Sequence, residues 1–291
     1  MSHIRLYAGL IRNNKWYNYV KLKNLEGGAL VLLDTNDNSS TARLINLMRE
    51  SVDSLYDKDG NKYTMQDDDF LDLNVDDSWK IGYEQIKSTT RQEFPVIEEN
   101  FLCRRCSTYD VLQYTRVNES WQKLIDKGLI DEVFLDEPKF EFTIKFENPV
   151  IIEGVGKMAG GIFEEIVMKY LTLGDMLSLQ KDKLANESEA NRTYSGWDKS
   201  IVKINGIPEK DLNTLKRLPG TFFSKKYLNS TENINAVCEG VHLNRIGVIA
   251  DDRKIYCKNC NEEIGGSLDY TNFFSPLSPR ISTQNGYRNM V

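Results

Sequence analysis

The clearest regularity in the chain is an alternation. Phe140, Phe142, Ile144 and Phe146 are apolar, and Glu141, Thr143 and Lys145 between them are polar. A period of two puts every second side chain on one face, so this stretch predicts a half-buried β-strand. Asn148-Pro149 breaks it, and Val150-Ile151-Ile152 follows. Nearer the N-terminus, Ile4 and Leu6, the aromatic-rich stretch Lys15 to Leu22, and Leu30 to Leu33 also read as strands. Gly27-Gly28 is a turn before the last of these. Ser39-Ser40-Thr41 offers an N-cap for a helix through Leu44, Ile45, Leu47 and Met48. The segment from Asp57 begins like a calcium loop. Lys62 stands where that loop needs glycine, and Asp68 where it needs glutamate, so a hairpin turn at Asp59-Gly60 is the better reading.

Further along, Trp121, Leu124 and Ile125 share one face of a helix expected from Asn118 to Lys127, with Gly128 at its C-terminal stop. From Ile162 the spacing turns helical through Phe163, Ile166, Val167, Tyr170 and Leu171. After a break at Gly174 it continues through Met176, Leu177 and Leu179. Residues 181–196 are polar and read as a mobile loop. A short helix is expected over Asp198–Ile204, another after Pro208 carrying Leu212, Leu215 and Leu218, and a last one from Lys225 to Gly240. Asp67-Asp68-Asp69 with Asp72, Asp76 and Asp77 reads as a solvated loop, and Glu164-Glu165 as a solvated helix face. Gly154-Val155-Gly156 lacks the third glycine of a dinucleotide fingerprint and reads as a loop.

Four of the five cysteines change this picture. They form two pairs, Cys103-Arg104-Arg105-Cys106 and Cys257-Lys258-Asn259-Cys260. Two intervening residues let one tight turn aim two thiolates at the same ion, and two such turns complete a tetrahedral shell. Cys103, Cys106, Cys257 and Cys260 are therefore the expected ligands of one structural Zn2+. Ordinary ribbons place their pairs about 15–20 residues apart, whereas 151 positions separate Cys106 from Cys257 here. A shared ion would clamp the two pairs together across half the chain. The other readings are two unrelated pairs, or a redox CxxC at Cys103, although Arg104-Arg105 is an unusual spacer for one.

The expected fold class is α+β: a β-rich N-terminal part with one helix over 1–100, a zinc-stapled α+β domain over 101–274 containing a central strand plus a helical region and a zinc ribbon formed by the two distant knuckles, and an extended tail over 275–291. Hydrophobic residues make up 40% of the 291, and charged residues 27%, as in ordinary globular proteins. No apolar run reaches the ~18 residues of a membrane span. The N-terminus lacks a signal-peptide core, so an intracellular setting with reduced thiols is expected. The net charge of −6 argues against free duplex binding. His3 and His242 are the two histidines. His3 is expected at a frayed end, His242 in an apolar core or edge position, and Cys238 as a buried inert thiol.

The order of features carries a resemblance: a CxxC knuckle, an extended strand with an Asn-Pro break, Ile204-Asn205-Gly206-Ile207-Pro208 followed by Asp211-Leu212 and Leu215, then a second CxxC followed by Leu268-Asp269 and Phe273-Phe274. Residues 100–275 resemble the small baseplate-hub and tail-assembly proteins of T-even-like contractile-tailed phages, with a middle segment similar to tail-assembly chaperones of Mu-like phages. The resemblance implies a non-enzymatic structural or assembly subunit. It would bind other baseplate or tail proteins, including the tape-measure protein, and would reside in the virion tail or, during assembly, in the host cytoplasm. Membrane, nucleic acid and small-molecule substrates are not expected as partners. The competing readings are a zinc-ribbon accessory protein of phage transcription or replication, using Arg104, Arg105, Lys258 and Tyr256, and a CxxC redox protein.

Overall fold

The computed structural model describes residues 3–24, 40–89, 96–103, 105–115, 131–153, 160–183, 185–205, 207–216, 222–249, 257 and 259–262. In chain order the first elements are β1 (Ile4–Arg12), β2 (Lys15–Leu22), α1 (Ser40–Ser51), β3 (Val52–Tyr56), β4 (Lys62–Tyr63), α2 (Asp69–Asp72), α3 (Val75–Thr89), β5 (Val96–Leu102), β6 (Tyr109–Thr115) and β7 (Asp131–Val133). Then come β8 (Glu141–Ile152), β9 (Gly161–Lys169), α4 (Leu173–Lys181), α5 (Glu189–Ser200), β10 (Ile201–Ile204), α6 (Glu209–Lys216), α7 (Phe223–Tyr227), α8 (Thr231–Leu243) and β11 (Gly247–Ile249). Helices combined with antiparallel sheets make this an α+β fold. The expected helix at 118–127, the strand at Leu30–Leu33, the glycine loop at 154–156 and the tail at 275–291 lie outside the described residues.

Packing groups the chain into two units, each made of two segments: Met1–Ser78 with Phe134–Ile246, and Trp79–Val133 with Gly247–Val291. The sequence division at 100 and 274 follows other lines. The chain leaves the first unit and returns to it, and β11 then pairs antiparallel with β7, 131–133.

In the first unit, β1 to β4 form one antiparallel sheet in sequence order. Asn13 and Asn14 turn β1 into β2 with φ of 52° and 58°, the left-handed conformation that a two-residue hairpin loop of the primed kind requires. β1 carries an irregularity between Arg5 and Leu10. Gly9 sits there with φ +73°, and a Cβ on it would come within 2.5 Å of the Tyr17 carbonyl oxygen. The β3–β4 turn is closed by Asp57, whose carboxylate accepts the N–H groups of Asp59 and Asn61 and the Asn61 amide. That is a side-chain-stabilised turn rather than a cation loop.

The second sheet of this unit has the order β10-β9-β8. The stretch from Ile162 is its central strand, not a helix. β9 pairs with β8 on one side and β10 on the other, burying Phe163, Ile166 and Met168 while Ile162 points to solvent. Apolar residues at i, i+1, i+4 and i+5 satisfy both periods, and the β-branched Ile and Val resolve it toward strand. Glu164 and Glu165 accordingly lie on a strand. Asn148-Pro149 does not end β8. The register slips between Lys145 and Val150 and the strand resumes, a bulge that places proline where an edge strand tolerates it. The polar stretch expected as a loop contains α5, whose N-cap Ser188 accepts from Asn191 N–H, and Ile201–Ile204 is a strand. The expected last helix is two, α7 and α8.

The core of this unit lies between the sheet and helices α6, α7 and α8: Ile144, Ile166, Ile204, Leu212, Phe223 and Val237 are all buried. Each such side chain contributes about 1.5–3 kcal/mol. α8 approaches so closely that a Cβ on Gly240 would meet Ile144 at 2.6 Å. Asp198 of α5 accepts the N–H groups of Phe223 and Ser224 at 2.9 and 2.8 Å, supplying the first turn of α7 with partners from outside the helix.

The second unit contains the β5–β6 hairpin, in continuous antiparallel register from Val96↔Thr115 to Leu102↔Tyr109, and the β7–β11 pair. Lys80 meets Glu132 at 2.6 Å, both largely shielded.

Candidate metal centre

The hairpin register of β5 and β6 brings Leu102 opposite Tyr109, so the six residues between must form one tight turn. They do so as a knuckle. The Cys103 N–H donates to the Thr108 carbonyl at 3.0 Å, and the Ser107 N–H donates back to the Cys103 carbonyl at 2.8 Å. The second pair repeats this bond for bond. Cys257 N–H donates to the Glu262 carbonyl, and Asn261 N–H to the Cys257 carbonyl, both at 2.8 Å. In each knuckle the residue after the second cysteine is left-handed, Ser107 at φ 55° and Asn261 at φ 56°. Asparagine tolerates that conformation better than most residues, which explains how Asn261 replaces the glycine frequent at this place.

The two knuckles face each other. The four Sγ atoms of Cys103, Cys106, Cys257 and Cys260 lie within 4.8 Å of one another. Cys103 Sγ is 3.6 Å from Cys260 Sγ, and Cys106 Sγ is 3.5 Å from Cys257 Sγ. A tetrahedron with metal–sulfur bonds of about 2.3 Å has edges of about 3.8 Å, so the cluster has the size of a single-ion shell and could hold a metal ion. Cys103 and Cys257 are buried. Asn259 Nδ2 donates to Thr108 Oγ1 across the pair at 3.1 Å, and Arg105 and Glu262 form an ion pair joining the same two turns.

The protons of this cluster are unevenly held. The Thr108 hydroxyl, then its backbone, then Asn259 favour a thiolate at Cys106 and bring it down to about 5. At Cys260 the backbone near Glu262 also favours the thiolate, but burial and the other three sulfurs outweigh it and push the thiol up to about 12. Four sulfurs this close cannot all be anionic without a cation among them.

The remaining candidates are placed elsewhere. Cys238 and His242 are exposed on α8, because Asn233 and Val237 take the buried stripe of that helix. His3 is exposed and stacks on Tyr56 at 4.1 Å. Arg104, Tyr256 and Lys258 lie outside the described residues, and Arg105 is engaged by Glu262.

The acidic run, expected as a solvated loop, holds buried carboxylates. Asp77 is fully buried and accepts three successive N–H groups, those of Tyr7, Ala8 and Gly9. Burial nevertheless pushes it up to about 6, and burial together with Asp77 pushes Asp76 up to about 7. Burial disfavours charge at Asp69 as well, but the Gln66 N–H, the Tyr63 hydroxyl and the Arg12 guanidinium outweigh it and hold that carboxyl low. Gly9 inside β1 was the available signal of a backbone bend there. No family model, curated protein or solved structure matches the chain.

Proposed function

We propose that this chain is a zinc-stapled structural or assembly subunit, not an enzyme, whose work is to present rigid surface to partner proteins. The observation that carries the reading is the four-sulfur cluster at single-ion spacing. Four thiolates favour zinc and leave no open position for water or substrate, so the ion holds the fold and does no chemistry. A zinc ribbon assembled from two knuckles so far apart in sequence makes the second unit dependent on the metal. The sequence resemblance supports a phage tail baseplate hub as the setting, with other baseplate or tail proteins as partners. Ile151 and Ile162 face each other across the β8–β9 pair at 67% and 69% exposure, apolar surface of the kind a protein partner covers.

Two observations weigh against the alternatives. A redox pair works within one CxxC, but Cys103 and Cys106 each make a close sulfur contact to the other knuckle. A nucleic-acid contact through Arg105 competes with its ion pair to Glu262. The test is metal analysis of the purified chain, with Cys103→Ser and Cys257→Ser made separately. One zinc per chain, lost in both variants, is expected. Zinc retained when either pair is broken, or rapid alkylation of all four thiols in the native zinc-replete protein, would overturn the reading.

A further inference from the structure

We propose that the first unit carries a binding site for a small amphipathic anion, an apolar or aromatic body ending in a carboxylate. The site is a cavity of about 740 Å³ between the end of β9, helices α4 and α5, and the segment following α8. That volume lies within the range of pockets that hold one small molecule, about 300–1,000 Å³. Phe142, Tyr170, Met176, Leu179 and Trp197 supply apolar and aromatic wall, where an organic body loses water favourably.

The charge of the lining runs against that of the chain. Lys169, Arg192 and Arg245 line the cavity against one acidic residue, Asp76, in a protein of net charge −6. Lys169 is held by Asp175 at 2.7 Å. Arg192 is steadied by Asn186 Oδ1 at 3.0 Å, which fixes its side chain without neutralising it. The Arg192 guanidinium beside an apolar wall matches a carboxylate better than a neutral or cationic head. The raised pKa of Asp76, about 7, weakens the opposing negative charge at neutral pH.

Gly196 is the second, independent observation. It lies inside α5 and lines the cavity, and a Cβ placed on it meets nothing within 4 Å. Glycine in a helix interior costs about 1 kcal/mol relative to alanine, and no neighbour demands it here. Its missing side chain leaves the cavity open.

The experiment uses the full, zinc-replete chain. Anilinonaphthalene sulfonate fluorescence counts sites, and phenylbutyrate and phenylbutanol compete as charged and neutral forms of one body. One saturable site is expected, displaced by phenylbutyrate roughly tenfold better than by phenylbutanol. Gly196→Phe sends a ring from a Cβ that meets no neighbour and is expected to abolish the site with far-UV circular dichroism unchanged. Arg192→Gln is expected to erase most of the preference for the anion while leaving phenylbutanol competition in place. No saturable site, or a site indifferent to Gly196→Phe, overturns the proposal. Equal competition by the two compounds also overturns it, and would make the cavity a seat for an apolar side chain of a protein partner.

Discussion

The two units solve the same problem by opposite means. The first closes a layer of helices over a three-stranded sheet and buries Ile166, Ile204, Leu228 and Val237 completely. Its stability is distributed, so each residue carries a few kcal/mol at most. The second joins chain segments that are remote in sequence through two mirrored turns and four sulfur atoms. With the proposed metal bound, its stability is concentrated in one bonded centre whose ligands must lose protons to bind. That reading gives the protein two sensitivities: one unit to the size of its apolar side chains, the other to metal, acid and oxidant.

The largest expected effect is chelation. Stripping the metal, or Cys103→Ser, removes binding energy on the order of 10 kcal/mol from the second unit. Amide hydrogen exchange should then show lost protection in β5 and β6 while β8 and β9 stay protected. Simultaneous loss in both would break the contrast. The converse is Phe163→Ala, which leaves a cavity beneath the second sheet and is expected to destabilise the first unit by about 3–5 kcal/mol at unchanged zinc stoichiometry. Metal analysis beside thermal melts would check it.

Acid should separate the units by sign. Asp76 and Asp77 have folded pKa values of about 7 and about 6, above the 3.8 of a free aspartate. The folded state therefore holds more protons between those values, and their contribution to stability falls as pH rises through that window. Acidification from pH 8 to pH 5 relieves that cost in the first unit, while protons compete with metal in the second. Asp76→Asn, which cannot ionise, should stabilise the first unit by on the order of 1–2 kcal/mol at pH 8, with the gain vanishing near pH 4. A pH-independent gain would remove ionisation as the cause. The smallest effect lies in the knuckles. Ser107→Gly relieves a left-handed serine and should raise the zinc-bound melting temperature, a gain of roughly 0.5–1 kcal/mol. Asn261→Gly should gain less, because asparagine suits that conformation already.

The four-cysteine cluster was legible because its information is local: each CxxC specifies a turn, and the shared chemistry of the thiols suggests that the turns meet. The β3–β4 turn at Asp59-Gly60 was legible for the same reason. The acidic run was not, because what makes Asp77 a buried acceptor is a bend in β1 some seventy positions away, and no count of charges reveals a remote amide. β9 was misread as helix because its apolar spacing fits either period and only its strand neighbours on both sides decide. α5 was hidden by its polarity. Its buried face is narrow, and Ser195 and Asp198 are inside it, Asp198 being spent on the amides of α7.

The distance between the knuckles also sets a schedule. At roughly 5–20 residues per second on the ribosome, Cys103 and Cys106 wait on the order of 10 s for Cys257 to be made. During that interval a half-formed site holds two thiols with no second pair to share a metal. On the zinc-stapled reading proposed above, any zinc the first knuckle captures is held by two ligands and exchanges freely, so the metal is committed only once Cys257 and Cys260 have been made. Until then, on that reading, the nascent chain is open to oxidation at Cys103 and Cys106.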